Sequence, residues 1–240
     1  MIRERVRLAS QKHDGTSVPP SRARFLGEAS YAFSPLAIRL GRRPEVAPSD
    51  RQRSVLILPG FLAHPVLTRY LGQQVARAGH RTAQWQLGVN FGPSEARMAG
   101  MERQVLELQE LHCEPVVLLG WSLGGIYARE IAKRQPEAVA KVITMGSPFS
   151  GNRRSNNAWR LYQFVTGHSV DAPPIEAELH VKPPVPTTAI WSPRDGIVSP
   201  RSACGRPGER DRAIALRCTH MGFSYAPESI NAVLSELESD

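Results

Sequence analysis

The chain has 240 residues, of which 41% are hydrophobic, and 30 Lys and Arg against 22 Asp and Glu give it a formal net charge of +8. This length and composition suit one α/β domain with a substantial core, and no stretch approaches the roughly eighteen uninterrupted apolar residues of a membrane span. The basic charge raises nucleic acid or an anionic lipid surface as partners. However, the arginines are spread along the chain without the dense runs or aromatic interleaving of nucleic-acid binders, so we expect no nucleic-acid partner.

The amino terminus and the cysteines indicate the compartment. Residues 1–10 alternate charged and aliphatic side chains instead of forming the apolar region of a signal peptide, which favours a cytoplasmic protein. The three cysteines, Cys113, Cys204 and Cys218, are odd in number and lack the spacing of a metal site. We therefore expect free thiols, no metal and no cofactor, with a Cys204–Cys218 bridge between two loops as the less favoured alternative in a reducing cytosol.

Residues 1–50 predict a basic extension that packs on the core, because they are turn-prone and hold nine Lys and Arg against five Asp and Glu. Within them, the apolar positions from Ala23 to Leu40 predict a helix that ends at Gly41. Core packing is the favoured environment for its apolar members. The alternative is that they rest on lipid, with the basic region in peripheral contact with an anionic membrane surface. These members are Phe25, Leu26, Tyr31, Phe33, Leu36 and Ile38.

Residues 51–240 predict an α/β domain, because short apolar runs alternate there with amphipathic segments, as in β-α-β units with a parallel sheet. The helical segments have apolar residues three and four positions apart. The predicted strands are Val55–Leu58, Thr82–Trp85, Val116–Leu119, Lys141–Met145, Thr187–Trp191 and Ala213–Arg217. The predicted helices are Val66–Ala78, Ser94–Leu111, Leu123–Arg134 and Pro227–Leu237.

Residues 147–186 interrupt this alternation with a polar start, a short helical candidate from Asn157 to Val165, and two Pro-Pro pairs. Loops of this length inside a compact domain usually have a function. We expect a lid or cap over a site, and a surface excursion without function is the alternative.

The segment from Gly120 to Gly124 reads Gly-Trp-Ser-Leu-Gly and matches the pattern Gly-x-Ser-x-Gly. It follows the apolar run Val116–Leu119 and opens a helix at Leu123, so Ser122 falls on a sharp strand-to-helix turn. Such a turn forces the serine into positive-φ backbone, and glycines two residues to either side remove Cβ atoms that would collide. The free N–H groups of the following helix favour negative charge at this point.

The residues from Leu119 to Ala128, Leu-Gly-Trp-Ser-Leu-Gly-Gly-Ile-Tyr-Ala, resemble the nucleophile elbow of α/β-hydrolase-fold lipases and esterases. The resemblance extends from about Val55 to the end of the chain. It implies a mostly parallel twisted sheet with helices on both faces and a short lid insertion after the sixth strand. It also implies a catalytic triad in the chain order serine, acid, histidine, with Ser122 as the nucleophile.

Two residues occupy the positions that the resemblance requires for the acid and the base. Asp195 follows the strand Thr187–Trp191, although Asp-Gly is also a common turn sequence. His220 follows the last strand and precedes the last helix, and a structural or surface histidine is the alternative. Both positions lie where parallel strands end, so we expect Asp195 to orient His220 and His220 to act as general base.

The remaining site residues follow from the same comparison. An oxyanion hole needs two backbone donors, which are Leu123 N–H, directly after the serine, and by resemblance Phe61 N–H in the loop after the first core strand. Pro59-Gly60 replaces the His-Gly pair that is frequent at this loop. The predicted substrate pocket is apolar and comprises Leu62, Trp121, Ile197, Val198 and Met221.

These features predict a serine hydrolase that cleaves carboxylic esters through an acyl-enzyme, with a small-molecule acyl ester or lipid as substrate. A thioesterase, an acyltransferase or an amidase with the same triad remains an alternative, because all of them form the same intermediate. A lipid- or protein-binding module without turnover is the alternative from another class.

Overall fold

The computed structural model describes residues 2–12 and 15–239; the parts of the predicted extension and domain at Met1, His13, Asp14 and Asp240 lie outside them. Within the described residues, six parallel strands form one sheet in the order β2-β1-β3-β4-β5-β6. The six predicted strands are thereby confirmed to within about two residues. The strands are β1 Ser54–Leu58, β2 Arg81–Gln84, β3 Val116–Trp121, β4 Val139–Met145, β5 Thr187–Trp191 and β6 Arg212–Ala215.

Helices cover both faces of this sheet, because successive residues of a buried strand point to opposite sides and both sides are apolar. Val55 and Ile57 of β1 face one cluster with the two helices α4 and α9, whereas Leu56 and Leu58 face a second cluster with α5 and α6. The helices are α1 Ile2–Ala9, α2 Arg22–Gly27, α3 Ser34–Leu40, α4 Arg69–Arg77, α5 Glu95–His112, α6 Leu123–Arg134, α7 Trp159–Thr166, α8 Pro200–Cys204 and α9 Pro227–Glu238.

The amino-terminal segment differs from its prediction in two ways. The expected helix from Ala23 to Leu40 is broken into α2, a 3₁₀ turn Glu28–Phe33, and α3. The expected packing of its apolar side chains on the core is wrong for Leu26 and Phe33, which are 72% and 69% exposed, and for Phe25 and Leu36. The segment is instead attached through the buried side chain of Glu28, which accepts hydrogen bonds from backbone N–H groups of the domain.

Residues 147–186 lie between β4 and β5 and contain α7. The segment thus follows the fourth strand described, not the sixth, because the described residues before Ser54 form helices and turns and contribute no strand to the sheet. The unpredicted helix α1 packs on α7, where Arg5 Nη1 donates to Val165 O at 2.8 Å and Gln163 Nε2 donates to Leu8 O.

The cysteines and the helix lengths bear on two further expectations. Cys113, Cys204 and Cys218 are all free thiols, so the alternative of a Cys204–Cys218 bridge is wrong. No helix among the described residues is both long enough and apolar enough to cross a membrane.

Candidate active site

Ser122 lies on a strained turn between β3 and α6, with φ 55° and ψ −119°. Its N–H donates to Met145 O at 2.8 Å, which fixes the turn against β4. A Cβ at Gly120 would lie 2.4 Å from the Gly125 backbone, and one at Gly124 would lie 2.2 Å from Leu58 O. The turn therefore has the geometry that the Gly-x-Ser-x-Gly pattern predicts, and neither glycine tolerates a side chain.

Asp195 and His220 form a buried pair at the carboxyl ends of β5 and β6. His220 Nδ1 and Asp195 Oδ2 are 2.7 Å apart, and both side chains are almost fully inaccessible to solvent. The other carboxylate oxygen, Oδ1, accepts from the N–H groups of Ile197 and Val198 at 2.8 and 2.7 Å. The acid is thus held by its own loop in an orientation that leaves Oδ2 for the imidazole.

The pair changes the titration of the imidazole. Burial lowers the pKa of His220, but the charge and hydrogen bond of Asp195, together with the charge of Glu28, raise it, and the net shift is upward. The histidine is therefore a stronger base than an isolated imidazole.

His220 packs beside the nucleophile turn. Trp121, the residue before Ser122, donates from Nε1 to His220 O at 3.2 Å, and the two rings lie 5.8 Å apart. Among the hydrogen bonds of the described residues, none joins the Ser122 hydroxyl to the imidazole. The structure thus brings together Asp195 and His220 and places His220 next to the turn, whereas the predicted hydrogen bond between Ser122 and His220 is not formed. Catalytic hydrogen bonds are often long before substrate binds.

The two predicted oxyanion donors flank the serine. Phe61 and Leu123 line the same pocket as Ser122, and the N–H of neither donates to another group among the described residues. Leu62 N–H, in contrast, donates to Asn90 O at 2.8 Å, and Leu62 has a left-handed backbone with φ 58°. The amides of Phe61 and Leu123 are thus available for a ligand.

Asn90 is a site residue that the sequence pattern does not reveal. Its side chain is fully buried, donates from Nδ2 to Pro59 O at 2.9 Å and accepts from Tyr127 Oη at 3.3 Å. Its own N–H donates to Ala63 O at 3.1 Å. Asn90 therefore clamps the loop 59–63 that presents Phe61 N–H, and no motif marks it because its partners are remote in sequence.

A pocket of about 140 Å³ opens beside Ser122. Of the predicted lining residues, Ile197 and Val198 line it. The prediction is wrong for Leu62, Trp121 and Met221, which are absent from its lining. The Trp121 indole is buried against His220, Leu62 is turned by its left-handed backbone, and Met221 belongs to the His220 loop. Lining residues that sequence reasoning missed come from α6 and residues 147–186: Ile126, Tyr127, Trp159, Tyr162, Val170, Ile175 and Leu179.

No protein-family model and no curated protein matches this sequence. Solved structures do match it. One of the metagenome-derived lipolytic enzymes LipS and LipT superposes with a TM-score of 0.57 at 17% identity, covering 83% of this chain and 100% of that chain. The chain has the α/β-hydrolase fold. Two further structures with this fold are similar. The monoglyceride lipase of Saccharomyces cerevisiae has a TM-score of 0.56 at 13% identity, covering 82% of this chain and 88% of the lipase. The thioesterase domain from the curacin biosynthetic pathway has a TM-score of 0.52 at 15% identity, with coverages of 79% and 93%.

In this α/β-hydrolase fold, the charged side chains Arg153 and Glu130 that line the pocket are paired within the protein itself. Arg153 donates to Val170 O and Ala177 O at 3.1 and 2.7 Å, and Glu130 binds Lys133 at 2.6 Å. Burial raises the pKa of Tyr162 to about 12, so its hydroxyl stays protonated at neutral pH. The pocket therefore presents mainly aliphatic and aromatic surface to a ligand. No cluster of potential metal ligands occurs among the described residues.

Proposed function

We propose that this protein is a serine hydrolase that cleaves carboxylic esters. The observation that carries the proposal is one juxtaposition at the carboxyl edge of the sheet. A serine in strained positive-φ backbone opens on an apolar pocket, next to a histidine whose Nδ1 is bound to a buried aspartate. This arrangement supplies a nucleophile, a base and an orienting acid within one α/β-hydrolase fold.

The proposed reaction proceeds in two acyl-transfer steps. His220 Nε2 takes the proton of the Ser122 hydroxyl as Oγ attacks the carbonyl carbon of the ester. The alcohol then departs with that proton, which leaves the acyl group on Ser122. Water, deprotonated by the same imidazole, releases the acid. Asp195 keeps the proton on Nδ1 throughout, so that Nε2 remains the basic nitrogen.

The negative charge that develops on the carbonyl oxygen is stabilised by backbone donors. The proposed donors are the N–H groups of Phe61 and Leu123: both residues line the pocket with Ser122, and neither N–H donates to another group among the described residues. Each such donor contributes about 3 to 4 kcal/mol to lowering the barrier in related chemistry. Asn90, through Pro59 and Ala63, keeps the loop of the first donor in place.

The pocket favours an apolar acyl group. Its side chains from α6 and α7, including Ile126, Trp159 and Tyr162, offer contact surface and no unpaired charge. The lipolytic enzymes and the monoglyceride lipase that resemble this chain in fold are named for substrates of this kind. We therefore assign residues 147–186 the role of a cap over the acyl chain.

Hydrolysis of p-nitrophenyl esters of graded acyl length tests the proposal. We expect turnover of medium-chain esters, and a loss of about 10³-fold or more in kcat for Ser122→Ala, because residual catalysis without the nucleophile is small. Ser235→Ala, an exposed serine on α9, is the matched control and should retain wild-type rates. A fluorophosphonate probe should label the wild type and the control but not Ser122→Ala. Full activity of Ser122→Ala would refute the assignment.

A thioester is the second candidate substrate, because one similar structure is a thioesterase domain and because an ester and a thioester offer the same acyl group to an apolar pocket. The two candidates differ in the leaving atom. Comparing kcat/KM for an octanoyl ester and the matching octanoyl thioester decides between them. A higher value for the ester supports the proposed function, and a thioester preference of about tenfold or more replaces it.

A further inference from the structure

Glu28 reaches from the amino-terminal segment into the two loops that carry the proposed acid and base. Glu28 is 8% exposed, although most of its neighbours in the segment are exposed. Oε1 accepts from Gly196 N–H at 2.8 Å and from His220 N–H at 2.8 Å, and Oε2 accepts from Met221 N–H at 2.9 Å. One side chain therefore binds three backbone amides from two loops.

These amides belong to residues at the reacting groups. Gly196 directly follows Asp195, and His220 is the base itself. The backbone of the same segment also touches the acid loop, since a Cβ at Gly196 would lie 2.3 Å from Arg24 O. Glycine at 196 thus allows the segment to approach, and Glu28 then fixes the spacing between the acid loop and the base loop.

The burial of this carboxylate carries an energetic cost. Removing a carboxylate from water is unfavourable unless it is paired or hydrogen-bonded. Among the described residues, Glu28 forms no ion pair with Lys, Arg or His, so the three amide bonds are what compensates it. Charge-assisted bonds of this kind are short and directional, and they resist displacement of either loop.

We infer that Glu28 is a positioning residue that holds the His220 loop against the Asp195 loop and thereby sets the approach of the imidazole to Ser122. The inference rests on the proposed function. It gives the amino-terminal segment a catalytic purpose, because the segment carries this carboxylate while its apolar side chains remain exposed. The charge of Glu28 also raises the pKa of His220, in the same direction as Asp195.

Kinetics of Glu28 variants test the inference. Glu28→Ala should lower kcat about 100-fold with KM changed less than threefold, because a small misplacement of the base slows the chemistry more than it weakens substrate binding. Glu28→Gln should lose less, since its amide oxygen can keep the bonds to Gly196 and His220 while its NH₂ opposes Met221 N–H. Glu45→Gln, in the same extension and 83% exposed, is the control for charge removal and should behave as the wild type.

A pH profile and a double-mutant cycle separate positioning from a merely structural role. Asp195 and Glu28 are the charged groups that act on the His220 imidazole among the described residues. The acid limb of kcat/KM should move to lower pH in Glu28→Gln, because a negative charge near the imidazole is lost. In an Asp195→Asn background, Glu28→Ala should cost less than threefold more, since both residues act through one histidine.

The outcomes distinguish this inference from the proposed function. If the wild type shows no Ser122-dependent hydrolysis, the proposed function and this inference both fail. If Ser122-dependent hydrolysis is present and Glu28→Ala and Glu28→Gln keep the wild-type kcat and pH profile, only the inference fails. Additive losses in the double-mutant cycle also overturn it, whether or not Glu28→Ala alone is destabilised, because they would mean that Glu28 does not act through His220.

Discussion

At the scale of single residues, the proposed mechanism makes activity depend on the titration of His220. The imidazole must be neutral to accept a proton, and its pKa in the folded protein lies above the ordinary value of 6.5. It is therefore protonated, and inactive as a base, over a wider acidic range than an isolated histidine. We expect kcat/KM to fall as pH decreases through a midpoint above 6.5.

Asp195→Asn checks the sign of this effect. Without the carboxylate, burial remains to lower the pKa of His220, so the acid limb should move to lower pH. The maximum rate should fall by about 10³- to 10⁴-fold, because the tautomer with a basic Nε2 is no longer held. Asp211→Asn, which removes a carboxylate bound to Lys182 at 2.9 Å near the start of β6, is the control. If the acid limb of the kcat/KM pH profile does not move in Asp195→Asn, the role given to Asp195 is contradicted.

Whether a residue of the site could be predicted depends on how close in sequence the features that position it lie. Ser122 could be predicted because strand, turn and helix are consecutive, and Asp195 and His220 because both follow apolar strands. Glu28 could not, because its partners lie 168 and 192 residues away and a glutamate in a basic segment has no local signature. Asn90 was missed for the same reason. Polar clamps between loops are set by tertiary structure, which periodicity does not encode.

At the scale of secondary structure elements, Arg129 joins helix α6, which follows Ser122, to residues 147–186, the proposed cap. The residue is 1% exposed, and its guanidinium donates to Leu179 O at 3.2 Å, Val181 O at 3.1 Å and Glu209 O at 3.0 Å. It also stacks on the Phe149 ring at 4.2 Å, and burial lowers its pKa to about 10, so it remains charged at neutral pH. A single buried cation thus connects α6 with residues 147–186 and with the loop that precedes β6.

We expect Arg129→Met to lower the free energy of unfolding by about 3 kcal/mol, because methionine fills much of the space but leaves buried carbonyl oxygens without donors. Arg134→Met is the matched control on the same helix. Its partner is Glu102 at 3.1 Å and its side chain is 37% exposed, so its loss should cost less than about 1 kcal/mol. Urea unfolding of the two variants measures the difference, and equal midpoints would show that Arg129 does not link the elements.

The elements themselves were predictable where apolar periodicity reports burial. Helix α6 begins and ends as predicted, and α5 and α9 agree to within one residue at each end. Residues 22–40 have helical periodicity too, but it breaks at Glu28, whose side chain turns inward toward the catalytic loops. Periodicity therefore predicted helix there without revealing the turn or the exposure of the apolar side chains. The pocket residues contributed by residues 147–186 were missed because a Pro-rich, irregular segment has no regular hydrophobic periodicity from which to predict burial.

At the scale of the whole molecule, the amino-terminal segment contacts two separate regions near the pocket: helix α7, and the loops that carry Asp195 and His220. Helix α1 binds α7 through Arg5 and Gln163, and Glu28 binds the two loops that carry the proposed acid Asp195 and the proposed base His220. The outer side of this segment remains apolar, because Phe33, Leu36 and Leu40, spaced three and four residues apart, are 69%, 55% and 73% exposed. Arg39, Arg42 and Arg43 lie beside them in the sequence.

We propose an anionic lipid surface as the partner of this combination, since arginines attract acidic headgroups and exposed apolar side chains can enter the membrane interface. We expect the protein to sediment with vesicles of phosphatidylglycerol and phosphatidylcholine, and much less with phosphatidylcholine alone. Leu36→Ser combined with Leu40→Ser should weaken binding by about tenfold or more, because each leucine contributes about 1.5 kcal/mol or more when buried. Leu111→Ser, which replaces an equally exposed leucine on α5, is the control and should bind as the wild type. Equal binding to both vesicle types, or equal loss in the control, would exclude this segment as the lipid-binding surface.

The same segment holds Glu28 against the loop of the proposed base, so binding of the wild-type protein to vesicles should also change the rate of ester hydrolysis. The double variant, in contrast, should hydrolyse a soluble ester at the same rate with and without vesicles.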